Sequence, residues 1–136
     1  MPVNWNLSLY KTGIEFMDDQ HQQLYYALSS IREAYGKEDE ESIILEVLDF
    51  LIEYADFHFK EEEDFMRKIA FEGYEYQRQE HATFIDNCNA MKKMLNDEGF
   101  SRKFIILLYN DVYKWLINHI SEKDSLIAKF AFLKQS

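Results

Sequence analysis

Apolar residues recur three and four positions apart along four stretches of this chain, the period of a helix that buries one face. The first stretch carries His21, Leu24, Leu28, Ile31 and Tyr35, and the second Ile44, Leu48, Leu51, Ala55, His58 and Glu62. The third runs through Tyr74, Gln77, His81, Phe84, Cys88, Met91 and Leu95, and the fourth through Ile105, Leu108, Val112, Leu116 and His119. Glycines at 13, 36, 73 and 99 and a single proline, Pro2, fall between or before these stretches, where they break helices. The pattern predicts helices from Asp18 or Asp19 to about Tyr35, from Glu41 or Ser42 past Glu62, from about Tyr74 to Leu95, and from a cap at Ser101 to His119. SEKD at 121–124 then interrupts the fourth pattern, and a short amphipathic tail follows.

No segment alternates with period two, and no internal repeat is visible, so the class is all-α. Short connections favour antiparallel neighbours. The expected architecture is an up-down-up-down four-helix bundle with an irregular N-terminal arm and a short C-terminal tail, one domain spanning residues 1–136. In that topology the start of the first helix, the end of the second, the start of the third and the end of the fourth share one end of the bundle. The polar seam positions all sit there. His21, His58, Glu62, Gln77, His81 and His119 converge on one layer, and Asp124, five residues past His119, can fold back toward it.

Any one of these histidines alone reads as a core residue satisfied by hydrogen bonds. Together, four imidazoles and two carboxylates in one buried layer would leave ions desolvated and polar atoms unpaired, which a bound cation resolves. Imidazole and carboxylate without thiolate suits iron, manganese or zinc. Six donors are too many for one tetrahedral ion, whereas two ions sharing carboxylates between facing helices accommodate them. A dinuclear iron site is the reading these residues favour. Phe59, Trp115, Leu116 and Ile120 flank the donors at helical spacing and read as core.

The composition narrows the partners. A formal charge of -10 over 136 residues repels phosphate backbones and anionic lipid, which argues against nucleic acid. The longest apolar runs, such as FIILLY at 104–109, fall far short of the roughly 20 residues that span a bilayer. With one cysteine, Cys88, and no basic-then-apolar leader, the chain is expected in the cytoplasm. The acidic run EEED at 61–64 reads as a solvated helix end with only Glu62 turned inward.

WNLSLYKTGIEFMDDQH at 5–21, HFKEE at 58–62, EGYEYQRQEHATF at 72–84 and WLINHISEKD at 115–124 resemble, in order and spacing, the four signature segments of the hemerythrin family. The resemblance is to the single-domain bacteriohemerythrins and covers nearly the whole chain. It implies two iron ions, one held by His21 and His58 and the other by His81 and His119, bridged by Glu62, Asp124 and an oxo or hydroxo group. It also implies that dioxygen binds at the His21 and His58 iron, each ferrous ion giving one electron, in a dry pocket walled by Phe59, Trp115, Leu116 and Ile120, which would serve as core and pocket at once. One position departs from the family. Gln77 stands where the third helix should carry the first histidine of a histidine, three residues, histidine motif. The missing imidazole leaves room for water held by Gln77, for the Gln77 amide oxygen itself, or for a neighbouring tyrosine such as Tyr54 or Tyr25.

Two functions follow from this reading. One is storage, delivery or sensing of dioxygen or a related small diatomic or peroxide ligand. The other is a redox enzyme or sensor acting on peroxide or nitric oxide through the labile position near Gln77. Enzymatic activity and the electron donor stay open.

Overall fold

The computed structural model describes residues 11–135, so most of the expected N-terminal arm, residues 1–10, lies outside the described residues. Three long helices come first: α1 over Glu15–Ala34, α2 over Glu40–Lys68 and α3 over Tyr74–Glu98. A fourth rod occupies 102–135. It comprises α4 (Arg102–Leu108), a π-helical turn (Tyr109–Lys114), α5 (Trp115–Asn118), a second π-helical turn (His119–Asp124) and α6 (Ser125–Gln135). Backbone angles at every junction of this rod stay in the right-handed helical region, so the rod is continuous.

α1 packs on α2, α2 on α3 and α3 on the first half of the rod. Contacts of Arg32 with Tyr113 and of His21 with Asp124 close the bundle between its first and last elements. The all-α, four-helix expectation holds, and among the described residues there is no strand.

The local chemistry adjusts several boundaries. Asp18 is not a helix cap. α1 begins at Glu15, and the Asp18 carboxylate instead accepts from the backbone N–H of Thr12 (2.7 Å), the Thr12 hydroxyl (2.7 Å) and the Gly13 N–H (3.0 Å), pinning the incoming loop. Ser101 caps α4 as expected, its hydroxyl accepting from the Phe104 N–H at 3.1 Å. Tyr35, placed on the seam by spacing, is 70% exposed because α1 ends at Ala34, where the backbone turns out of the helix. The SEKD segment does not end the fourth helix. It forms a π turn, and the expected tail is the helix α6.

α2 ends in a left-handed residue that is not glycine. Ala70 has φ of 55°, its N–H donates to the Arg67 carbonyl at 3.1 Å, and the Phe71 N–H donates to the Met66 carbonyl at 2.9 Å. These two bonds make a Schellman cap, and Phe71 packs against the apolar cluster that contains Met66. Lys134 reaches across to the Ile69 carbonyl at 2.6 Å and fastens α6 to the same helix end.

The apolar interior has two parts. The larger runs the length of the bundle from Ala34 and Leu95 to Phe59, Leu116 and Ile120. The smaller is built on Met17, Met66 and Ile127, with Phe16, Phe65 and Phe71 against them. The polar layer lies between the two. No helix among the described residues is long and apolar enough to cross a membrane.

Candidate metal centre

α1 contributes His21, α2 contributes His58 and Glu62, α3 contributes Gln77 and His81, and the second π turn contributes His119 and Asp124. All seven are buried. Sequence spacing places them correctly on their elements, and the structure brings them together. His21, His58, Glu62 and Asp124 each offer one donor atom within 4.8 Å of the others, and Glu62, His81, His119 and Asp124 do the same. The two groups share both carboxylates.

The carboxylates reach both sides. Glu62 Oε1 lies 3.3 Å from His58 Nε2 and 3.4 Å from His81 Nε2, while Oε2 lies 3.7 Å from His21 Nε2. Asp124 Oδ2 sits 2.8 Å from His21 Nε2, and Oδ1 sits 3.4 Å from His119 Nε2. The imidazole pairs are matched as well. His21 and His58 rings stand 4.9 Å apart at 71°, and His81 and His119 rings 5.1 Å apart at 69°.

One ring in each pair is oriented from behind. His58 Nδ1 meets the Gln20 Oε1 at 2.7 Å, and His81 Nδ1 meets a Glu63 carboxylate oxygen at 2.9 Å. Both partners only accept, so each ring donates from Nδ1 and presents a lone pair on Nε2 to the layer. Neither Gln20 nor Glu63 was found from sequence. Gln20 had a signal, since Met17, Gln20, His21 and Leu24 repeat at helical spacing. Glu63 had none within its own helix, and the reading of EEED as solvated except for Glu62 fails here, because α3 packs close enough to bring His81 over it.

Packed aromatic faces fix the other walls. Phe59 lies parallel to His81 at 3.9 Å, Trp115 lies parallel to His119 at 4.8 Å, and Phe84 stacks on Trp115. Of the four expected pocket residues, Phe59 and half-buried Trp115 touch the donor rings, while Leu116 and Ile120 are buried in the larger core cluster. Tyr54, considered as a substitute donor, is half-buried and stacks on Phe50, which is on the exposed face of α2.

The protonation pattern is that of a site short of positive charge. Burial, with the neighbouring Asp124 carboxylate, pushes Glu62 up to about 8. Burial works against a charged Asp124 too, but His119, His21 and His58 outweigh it and hold Asp124 well below the usual carboxylate range. Burial lowers His21 and His119, yet contact with Asp124 leaves both raised. For His81 burial prevails and the ring is lowered.

The donor set fits a pair of divalent cations. Glu62 Oε1 and Oε2, Asp124 Oδ1, and the Nε2 atoms of His58, His81 and His119 are all buried without a hydrogen-bond partner among the described residues. Buried polar atoms are seldom left so, and unpaired ones are costly. These atoms face one another, which is the arrangement cations would satisfy.

Comparison with known proteins agrees with this geometry. The family model of the hemerythrin HHE cation binding domain matches residues 12–131. A bacteriohemerythrin of Clostridium acetobutylicum is 30% identical over 120 residues, covering 85% of this chain and 91% of its own. One from Methylococcus capsulatus is 29% identical over 127 residues, covering 91% and 92%. The crystal structure of a wild-type hemerythrin superposes with a TM-score of 0.78 at 26% identity, covering 93% of this chain and 95% of its own.

Proposed function

The chain belongs to the hemerythrin family, and from that premise we propose that it binds dioxygen, or a small ligand of similar size, at a dinuclear non-haem iron centre. The observation that carries this reading is the pair of four-residue donor groups that share Glu62 and Asp124. His21 and His58 would hold one iron and His81 and His119 the other, with Glu62 and Asp124 shared between the two groups, and an oxo or hydroxo group would complete the pair. Bound there as ferrous ions, the pair would supply two electrons to one dioxygen molecule.

The rest is the work of the chain. Gln20 and Glu63 fix the rings of His58 and His81 so that Nε2 faces the metal side, which raises ligand basicity and removes rotational freedom. Phe59, Leu116 and Ile120 exclude water from the core side of the layer, and the Met17, Met66 and Ile127 cluster covers the other. A dry cavity disfavours protonation and loss of a bound anionic ligand, so reversible binding and core packing depend on the same side chains.

The test is spectroscopic. Iron(II)-loaded protein exposed to oxygen should develop a ligand-to-iron charge-transfer band that disappears when oxygen is removed. Direct conversion to the oxidised form, with turnover of hydrogen peroxide in the presence of a reductant, would replace the carrier reading with an enzymatic one.

A further inference from the structure

Gln77 breaks the equality between the two donor groups, and its side chain has a fixed sense. It stands one helical turn before His81 on the buried face of α3, and it is 2% exposed. Its Nε2 donates to the backbone carbonyl of Lys123 at 3.0 Å, and Lys123 immediately precedes Asp124. A carbonyl only accepts, so the amide nitrogen must be on that side and the amide oxygen on the other. That oxygen, Oε1, is buried and has no hydrogen-bond partner among the described residues.

Each group supplies two imidazoles and the same two carboxylates. The His81 and His119 side therefore has no more nitrogen donors than the His21 and His58 side. One helical turn before His81, on the same buried face, lies an amide oxygen without a hydrogen-bond partner whose companion nitrogen is already committed. A metal-side ligand with a hydrogen to offer would pair with that oxygen, and one without a hydrogen would leave it unpaired.

Resting on the dinuclear reading above, we propose that the metal held by His81 and His119 keeps an exchangeable position, and that Gln77 Oε1 selects for it a small protic ligand such as water, hydroxide or hydrogen peroxide. The Lys123 contact is what makes Gln77 selective. A freely turning amide would accept or donate as required and would discriminate nothing. The π turn presents the Lys123 carbonyl to α3, so the preference is tied to the same local backbone that presents Asp124.

Azide, which has no hydrogen to donate at neutral pH, is the probe. Iron-loaded, oxidised protein is titrated with azide by charge-transfer absorption, and iron per chain is measured on the same sample. The expected result is two azides for two irons, bound in separable steps. Gln77→His should take up one. Gln77→Leu should take up two, with the weaker step tightened about fivefold, the factor lost with one neutral hydrogen bond to the displaced water. One azide in the unmodified protein at two irons per chain overturns the proposal and leaves the dinuclear reading intact. An unchanged weaker step in Gln77→Leu overturns the acceptor role. Fewer than two irons in the unmodified protein removes the dinuclear reading, and this proposal with it.

Discussion

His119 Nε2 and Asp124 Oδ1 face each other at 3.4 Å across five residues of one helical rod. Five residues make roughly 1.4 turns of an α-helix, which would set the two side chains about 140° apart. In the π-helical turn His119–Asp124 the hydrogen bonds run from each residue to the fifth following, so both side chains share one face. The extra residue is thus a positioning device. Inserting one alanine after exposed Glu122 makes the separation six residues and should carry Asp124 more than about 100° away from His119, keep the helix content and abolish metal binding. Circular dichroism and elemental analysis of the insertion variant check this, and retained metal would show that the spacing is dispensable.

The Schellman cap of α2 predicts a stabilising change far from the metal chemistry. Ala70 is exposed and has φ of 55°, a conformation that costs an L residue roughly 1–2 kcal/mol and glycine little. Glycine loses part of that gain through the flexibility of its unfolded chain. Ala70→Gly should therefore stabilise the fold by about 0.5–1 kcal/mol, or about 2–4 °C in Tm. Calorimetry decides the sign.

Gln20 and Glu63 should matter to metal affinity without touching metal. Gln20→Leu and Glu63→Leu each free one imidazole to rotate and remove the acceptor for its Nδ1–H. Losses of about 10–100-fold in metal affinity are expected from partners of this kind. Chelator competition would show them. A variant with unaltered affinity would mean that packing against Phe59 and its neighbours suffices to hold the ring.

Stability should respond to pH in opposite ways with and without metal. In the metal-free chain Glu62, pushed up to about 8 by burial and by Asp124, keeps a proton that the unfolded chain releases near 4.5. Its contribution is complete below about 4.5 and is lost as pH rises to about 8. His21 and His119, lowered by burial but raised further by Asp124, also contribute below 6.5 and lose that contribution as pH rises, while the lowered His81 opposes them. Metal-free protein should melt at a higher temperature at pH 5.5 than at pH 8.5. Metal binds the deprotonated donors, so loaded protein should show the reverse order. Scanning calorimetry with chelator and with iron(II) checks both signs.

The sequence carried the helices and most of the donors because burial writes itself into a helix as a period. Ile44, Leu48, Leu51, Ala55, His58 and Glu62 are all buried, as their spacing requires. Histidine at such a position is conspicuous because so few polar residues belong there. Glu63 is different. Its role arises only when α3 approaches α2, a relation between helices that no period within one helix encodes. The π turns are hidden for a related reason. A five-residue interval at His119 and Asp124 looks like a broken pattern until the backbone is seen to absorb the extra residue. Tyr35 shows the converse, since a seam position beyond the last helical turn has no neighbour to bury it.

The central claim is that two metal ions share Glu62 and Asp124. Its most direct test is an anomalous-scattering map at the iron edge from crystals of iron-loaded protein. Two peaks are predicted, one beside His21 and His58 and one beside His81 and His119, with Glu62 and Asp124 between them. A single peak in fully loaded protein, or two peaks with either carboxylate turned away, would contradict it.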